Sequence, residues 1–326
     1  MPPKKDDRWL NAAFEDNENL CSLARTYCKH SIVLYTGAGV SAGGTDEVKK
    51  IPTKYGLPTW ISLIKEVVSS QNGDVSRVYS DNPLDAANQA VDACGGIDEF
   101  RSSLIEVIQR DHNYAKYYGQ LKGPFVSSAK TLVSVAAFCG RLTGQLENTD
   151  KKSNAQETGF KTTAGKKTNK RVYFLTAPNA RLEAVISGNY DCFLESAASN
   201  LFRKSVLKPV TAHGSLAGSM DRKPVFHIHG YVPHPHWQHN KDYKPLVSDL
   251  VITNEDYEKH WNVKNVFGTT MAPQIHYLRF YTTLFIGFSF QDKYVCKLLR
   301  KINRESLRRA GRCHYALLSQ RKVDAF

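Results

Sequence analysis

The sequence predicts an α/β protein with a Rossmann-like open parallel sheet, helices on both faces and an added helical and loop subdomain. Three observations predict it. Short apolar, β-branched runs recur at 31–36, 172–176, 183–187, 225–229, 282–287 and 314–318. Segments of helical periodicity separate several of them, the pattern of parallel strands joined by crossover helices. The first run opens into "TGAGVSAGG", where Gly37, Gly39, Gly43 and Gly44 leave a backbone bare enough to approach a phosphate with its N–H groups.

Taken in order, residues 9–29 read as an amphipathic helix with Leu20, Leu23, Ala24 and Tyr27 on one face. Ser31 to Thr36 is a buried strand. In "VKKIPTKYGLPTW" two prolines and a glycine forbid a long helix, and a helix starts after Pro58 with Trp60, Ile61, Ile64 and Val67 or Val68 inward. Two more helices fit 84–94 and 97–110, the second with Phe100, Leu104, Ile105 and Ile108 on one face. Residues 130–143, rich in Ala and Val, make another packed helix. A polar stretch at about 144–171 reads as a disordered loop or extended excursion. The last clear helix, 291–309, turns Val295, Leu298, Leu299 and Ile302 inward and its arginines outward. No internal repeat is present. The domain reading is a helical lead-in over 1–30 followed by one nucleotide-binding domain over 31–326, interrupted by the basic insert.

The totals exclude several classes. No apolar run approaches the roughly 20 residues of a membrane-spanning helix. The start, "MPPKKDDRWL", lacks the apolar core of a signal peptide, so the expectation is a cytoplasmic protein, with a nuclear location left open. The seven cysteines include no C-x-x-C pair, which argues for reduced thiols and against a four-cysteine zinc site. The net charge of +13 is concentrated in two places: residues 150–171 hold seven basic and two acidic side chains, and 297–312 hold seven basic and one acidic. The rest of the chain is close to neutral. A nucleic-acid partner is therefore not the favoured reading, and two basic patches serve equally well as solvated surface.

In an open parallel sheet, ligands gather beyond the carboxyl ends of the strands. Four strand ends offer small, polar or ionisable groups here: Gly37-Ala38-Gly39-Val40-Ser41; Gly188-Asn189-Tyr190-Asp191; His229-Gly230; and Gly287, Ser289 and Asp292 within "GFSFQD". Gly37, Gly39 and Ala42 satisfy the G-x-G-x-x-G/A dinucleotide fingerprint, but its context fails. The fingerprint passes directly into a helix and a second strand, whereas Gly43, Gly44 and a proline-broken loop follow here. That argues against hydride transfer.

"TGAGVSAGG", "GLPTW", "SGNYDCFLE", "FHIHG" and "FIGFSFQD", in this order, resemble the SIR2-like domain family, distant relatives of the sirtuins. The resemblance runs from about residue 20 to about 320. It implies a Rossmann-like fold that binds NAD+ as substrate and cleaves its nicotinamide–ribose bond. Gly37, Ala38, Gly39 and Ser41 match the loop that holds the pyrophosphate. By the same resemblance Asn189 contacts the ribose or positions water, Asp191 orients the nicotinamide amide, and His229 matches the catalytic histidine. Gly287 and Ser289 match the motif lining the adenosine ribose.

Three departures shape the functional expectation. Ser187-Gly188 stands where the family carries two threonines, which removes a hydroxyl and loosens the loop. The deacylase features are missing: "LPTW" replaces the motif that follows Ile-Pro, and Gly188 stands where a glutamine precedes the asparagine. No paired cysteines follow His229 to hold a structural zinc, and His234, His236 and His239 read as a polar loop; no zinc is expected. The resemblance therefore implies an NAD+ glycohydrolase giving nicotinamide and ADP-ribose, of the kind found in immune or stress effectors, working as a homo-oligomer or with an associated sensor domain. An NAD-dependent protein deacylase or ADP-ribosyltransferase is the alternative within the enzyme class. A nucleotide-sensing or nucleic-acid-associated module is the alternative outside it.

The insert yields a first prediction. It offers Leu146 and Phe160 as its only large hydrophobes, too little to offset the entropy of ordering it. Deleting 144–171 is expected to leave the melting temperature within about 3 °C, less than the shift from losing one ordinary core contact. A collapse in soluble yield overturns it.

Overall fold

The computed structural model describes residue 23 and residues 30–41, 59–109, 130–142, 181–202, 205–211, 222–233, 249–260, 271–306 and 314–317. Ile32–Thr36 (β1) is the axis of the sheet. Its five residues are all buried, as a strand covered on both faces must be. It pairs in parallel with Leu182–Ser187 (β2) on one side and Thr282–Ile286 (β5) on the other. Outward from β2 lie Lys223–His227 (β4) and then Leu207–Val210 (β3); outward from β5 lies Tyr315–Leu317 (β6). The order is β3-β4-β2-β1-β5-β6, and every pair is parallel.

The period of two along β1 divides the core. Ile32 and Leu34 face one helical layer, Lys130–Leu142 (α5) and Phe193–Phe202 (α6), where Leu132, Val135, Ala136, Phe193 and Ala197 bury against the sheet. Val33 and Tyr35 face the other, Met271–Phe280 (α8) and Lys293–Ser306 (α9), with Leu278, Val295, Leu298 and Ile302. The inward face read for the last helix is the observed one, with Leu299 partly buried beside it.

The helical subdomain follows the short turn Ala38–Ser41 (α1). It consists of Trp60–Ser70 (α2), Pro83–Ala93 (α3) and Ile97–Gln109 (α4). Asn82 starts α3 by accepting the amides of Leu84 and Asp85, with Pro83 in the first turn where its missing N–H costs nothing. Ile64, Val67, Val68, Ala87, Phe100 and Leu104 form a separate core here, and Tyr190, Val232, Leu250 and Ile252 join it from the sheet side. That shared core fastens the subdomain to the loops at the strand ends. A further short helix, Asn254–His260 (α7), lies after those loops.

The structure changes the strand reading in two places. The strand expected at 225–229 runs from Lys223 to His227, so His229 sits in the turn beyond it. The edge strand β3, with Pro209 inside it, escapes the sequence pattern because four residues are too few to show alternation; an edge strand tolerates the proline. The strand expected at 172–176, the helix at 9–29 apart from Leu23, and the insert at 144–171 lie outside the described residues. No helix among the described residues is long and apolar enough to cross a membrane.

Phe100 is fully buried at the centre of the subdomain core. Phe100→Ala is expected to cost about 3–5 kcal/mol. Urea unfolding followed by circular dichroism checks it, and a midpoint unchanged from the parent contradicts it.

A candidate active site at the carboxyl ends of the strands

Because every strand is parallel, the loops after β1, β2, β4 and β5 emerge on one side of the sheet. The first and last of these touch backbone to backbone. The Gly39 amide donates to the Gly287 carbonyl at 2.9 Å, and the Gly37 amide donates to Ile286 at 3.1 Å. A Cβ on Gly39 would stand 2.9 Å from Gly287 Cα, and one on Gly37 would stand 2.7 Å from the Gly287 carbonyl oxygen. Gly287 itself has φ +65°, and a Cβ there would meet the Val40 nitrogen at 2.6 Å. These glycines are required by each other.

This revises one expectation. The Val40 amide also has a protein acceptor, the Gly37 carbonyl at 2.9 Å, so the amides of Gly37, Gly39 and Val40 are all spent inside the protein. A phosphate approaching this loop meets a bare surface at Ala38 and Gly39, which are exposed, rather than a full nest of donors.

Ser41, at the end of the turn, delivers the loop to the Asn189 segment. Its hydroxyl donates to Asp191 Oδ1 at 3.0 Å and accepts from Asn189 Nδ2 at 2.9 Å. Asn189 Nδ2 also donates to the Gly37 carbonyl at 3.2 Å. Both amide hydrogens are thereby committed, and Asn189 Oδ1 has no hydrogen bond among the described residues. Asp191 Oδ1 also accepts the Phe193 amide at 2.9 Å, which starts α6.

The Asn189 segment is pinned by its own backbone. Gly188 N–H donates to the Thr36 carbonyl at 2.9 Å, and Asn189 N–H to Ser187 Oγ at 3.2 Å. Two histidines donate to the next two carbonyls: His229 Nδ1 to Gly188 at 2.9 Å and His227 Nδ1 to Asn189 at 2.9 Å. Glycine at 188 therefore does not loosen this loop as expected. A Cβ at Gly188 would make ordinary contacts of 3.6–3.7 Å with Thr36 and His229, so the position is not sterically reserved either.

His227 and His229 differ in what lies behind them. His227 Nε2 meets Glu195 Oε1 at 2.6 Å, and both side chains are buried. Burial opposes a charged ring there, but the Glu195 carboxylate and the Asn189 carbonyl outweigh it and raise the His227 pKa. His229 Nε2 instead faces Tyr257 Oη at 2.9 Å and Asp292 Oδ2 at 3.3 Å. Tyr257 comes from α7, whose start is a reciprocal cap: Asp256 Oδ2 accepts from the Thr253 amide at 2.9 Å, and Thr253 Oγ1 accepts from the Asp256 amide at 3.3 Å. Arg101 of α4 pairs with Asp256 and donates to the Leu250 carbonyl, tying this unit to the subdomain. Trp60 stacks on Tyr190 with ring centroids 5.4 Å apart, which gives the "GLPTW" tryptophan its place.

Of the residues the sequence singles out, Gly37, Ser41, Asn189, Asp191, His229 and Gly287 converge. Ala38 and Gly39 lie on the exposed edge of the same loop. Ser289 does not join the cluster: it is exposed, and its Oγ accepts the Gln291 amide within its own turn at 3.3 Å. Sequence reasoning misses Tyr257 and Glu195, and notices Asp292 without a role. The T-x-x-D signature at Thr253 and Asp256 could have marked the helix that carries Tyr257. No group of three His, Cys, Asp or Glu among the described residues could hold a metal ion; His234, His236 and His239 lie outside those residues.

Asp191 generates a pH prediction. Burial raises its carboxyl from the usual range to about 6, against the lowering effect of the Phe193 amide and the Ser41 hydroxyl. The folded value lies above the unfolded one, so this carboxyl's contribution to stability is fully present below about pH 4 and is lost as pH rises through about 6. Asp191→Asn keeps an oxygen for Ser41 and Phe193 and cannot ionise. The stability of the variant minus that of the parent should rise by on the order of 2–3 kcal/mol between pH 4 and pH 7 in urea titrations. A difference that stays constant across that window contradicts it.

Comparison with known proteins adds a family. Residues 183–325 match the family described as SIR2-like domain. No curated protein matches the chain at a significant level. The matched span begins in β2 and carries Asn189, Asp191, His229 and Gly287, while β1 and its glycine loop precede it and lie between two of its strands. Residues 183–325 are thus similar to the SIR2-like domain family, and β1, which precedes them, stands at the centre of the sheet they build.

Proposed function

We propose that this chain is an NAD+ glycohydrolase that releases nicotinamide and ADP-ribose. The SIR2-like assignment supports NAD-related function broadly. The observation that carries the finer reading is the pairing of two differently prepared groups on adjacent loops. Asn189 presents an amide oxygen with both its N–H groups already committed, and His229 presents Nε2 with Nδ1 already donating to a carbonyl. The atoms outside those bonds are Asn189 Oδ1 and His229 Nε2, the latter 2.9 Å from Tyr257 Oη.

The chemistry needs such a pair. Cleavage breaks the C1′–N bond, the bonding electrons leave with neutral nicotinamide, and the ribose passes through an oxocarbenium-like transition state. A water oxygen bonds to C1′, and its proton goes to His229 Nε2. Asn189 Oδ1 accepts a hydrogen bond from a ribose hydroxyl or from that water, fixing its direction without adding charge. The exposed backbone at Ala38 and Gly39 offers the pyrophosphate a close approach.

The purified full chain incubated with NAD+ at several protein concentrations should release nicotinamide. His229→Ala and Asn189→Ala, each verified as folded by its thermal melt, should each lower kcat by about 10²–10⁴-fold with little change in NAD+ affinity. No release at any concentration, or near-normal release by folded His229→Ala, sinks the assignment. Release that depends strictly on an acyl-lysine peptide or an acceptor protein would make the enzyme a deacylase or ADP-ribosyltransferase instead.

A further inference from the structure

Asp292 divides its two oxygens between two tasks. Oδ1 accepts the amides of Tyr294 and Val295 at 2.9 and 3.0 Å and so caps the start of α9. Oδ2 accepts the Tyr257 hydroxyl at 2.9 Å and lies 3.3 Å from His229 Nε2. The cap locks the carboxylate to a helix of 14 residues, and the free oxygen is thereby aimed at the imidazole. Tyr257 is held equally firmly. Its ring stacks on Tyr294, two residues beyond Asp292, with centroids 4.5 Å apart, and meets the His229 ring edge-on at 5.4 Å.

From this geometry we propose that Asp292, acting with the Tyr257 hydroxyl, is the positioning residue of His229; the proposal rests on the reading of His229 as the proton acceptor. His229 Nδ1 faces a carbonyl, which only accepts, so Nδ1 carries a hydrogen and Nε2 is the atom that exchanges one. Tyr257 Oη is 2.9 Å from both Nε2 and Asp292 Oδ2, and a hydroxyl donates one hydrogen at a time. With Nε2 bare, Tyr257 donates to Asp292 Oδ2 and leaves the single Nε2 lone pair to a substrate hydroxyl or water. Once Nε2 has gained a proton from a substrate hydroxyl or water, Nε2–H donates to Tyr257 Oη and Tyr257 donates to Asp292. The O–H bond broken is the substrate's or water's, the bond formed is Nε2–H, and the positive charge is countered by the Asp292 carboxylate. Two properties fit this role. Burial, followed by the charge of Asp292, raises the Tyr257 phenol well above its usual range, so it stays a neutral donor. Burial pushes the Asp292 carboxyl up, but its bonds to His229, Val295 and Tyr257 prevail and keep it ionised.

Asp292→Asn separates the two tasks, because asparagine is as good a helix cap and carries no charge. The expected result is a melting temperature within about 4 °C of the parent, a kcat for nicotinamide release lower by on the order of tenfold or more, and a KM for NAD+ within about threefold. Tyr257→Phe should lower kcat in the same direction with KM held. In the 15N-histidine-labelled full chain, the side-chain resonances of His229, assigned by their loss in His229→Gln, should move in both variants. A folded Asp292→Asn with kcat within about twofold of the parent, or His229 resonances that do not move in it, overturns the proposal. If the parent itself releases no nicotinamide, the glycohydrolase reading falls, and the resonances alone decide whether Asp292 positions His229.

Discussion

The crossing of two glycine backbones supports the rest of the site. Gly37 and Gly39 lie against Gly287 so closely that no side chain fits on either side of the contact. The β1 loop is drawn toward β5 by that contact, and Ser41 is brought within hydrogen-bonding distance of Asn189 and Asp191. On the opposite side, Gly287 at φ +65° turns the chain out of β5 toward Asp292 and the start of α9. The asparagine half and the histidine half of the site are thus referenced to one backbone contact. A methyl group at Gly39 or Gly287 would shift both halves together, because the atoms it meets are main-chain atoms that cannot rotate away.

Much of this arrangement is legible in the sequence, and the part that is not has a physical reason. Helices α2 to α5 and the central strands follow from periodicity, since each buries one face against a core. The convergence of Asn189 and His229 follows from a parallel sheet, which puts all strand ends on one side. The glycines are legible as a demand for bare backbone, yet the partner making that demand is another loop some 250 residues away, and no local pattern can name it. Asp292 shows the same limit. A carboxylate before an amphipathic helix is readable as a cap, while the aim of its second oxygen depends on how α7 and α9 pack. Tyr257 lies in a seven-residue helix whose start Thr253 and Asp256 mark, yet nothing local says which groups its hydroxyl meets.

The two histidines of "FHIH" show how one residue type takes two functions from its surroundings. A spacing of two puts both imidazoles on the same side of the chain, and each donates Nδ1 to a successive carbonyl of the Asn189 segment. His227, still within β4, has its other nitrogen against the buried Glu195 carboxylate and holds the Asn189 backbone from beneath. His229 has left the strand, and its other nitrogen reaches groups on α7 and α9 at the open side of the sheet. The turn that ends β4 is what separates an imidazole held against Glu195 from one whose other nitrogen faces Tyr257 and Asp292.

The charge of the protein makes sense against this site. The chain is strongly basic, with a formal net charge of +13, yet the described basic residues of α9 (Lys293, Lys297, Arg300, Lys301 and Arg304) are all exposed. Asp191, Glu195 and Asp292 lie inside, around the two histidines and Asn189. Screening by water and salt weakens the field of the outer cations over roughly 8–10 Å, whereas the inner carboxylates act across a few ångströms of protein. A positive charge developing on a ribose at this site would therefore feel the carboxylates far more than the exposed, water-screened lysines and arginines. On the proposed function, the anionic pyrophosphate would be drawn by the long-range positive field during approach and would then rest on the exposed glycine loop. On that reading the opposite signs of the surface and the site would act at different distances, one on encounter and the other on bond cleavage.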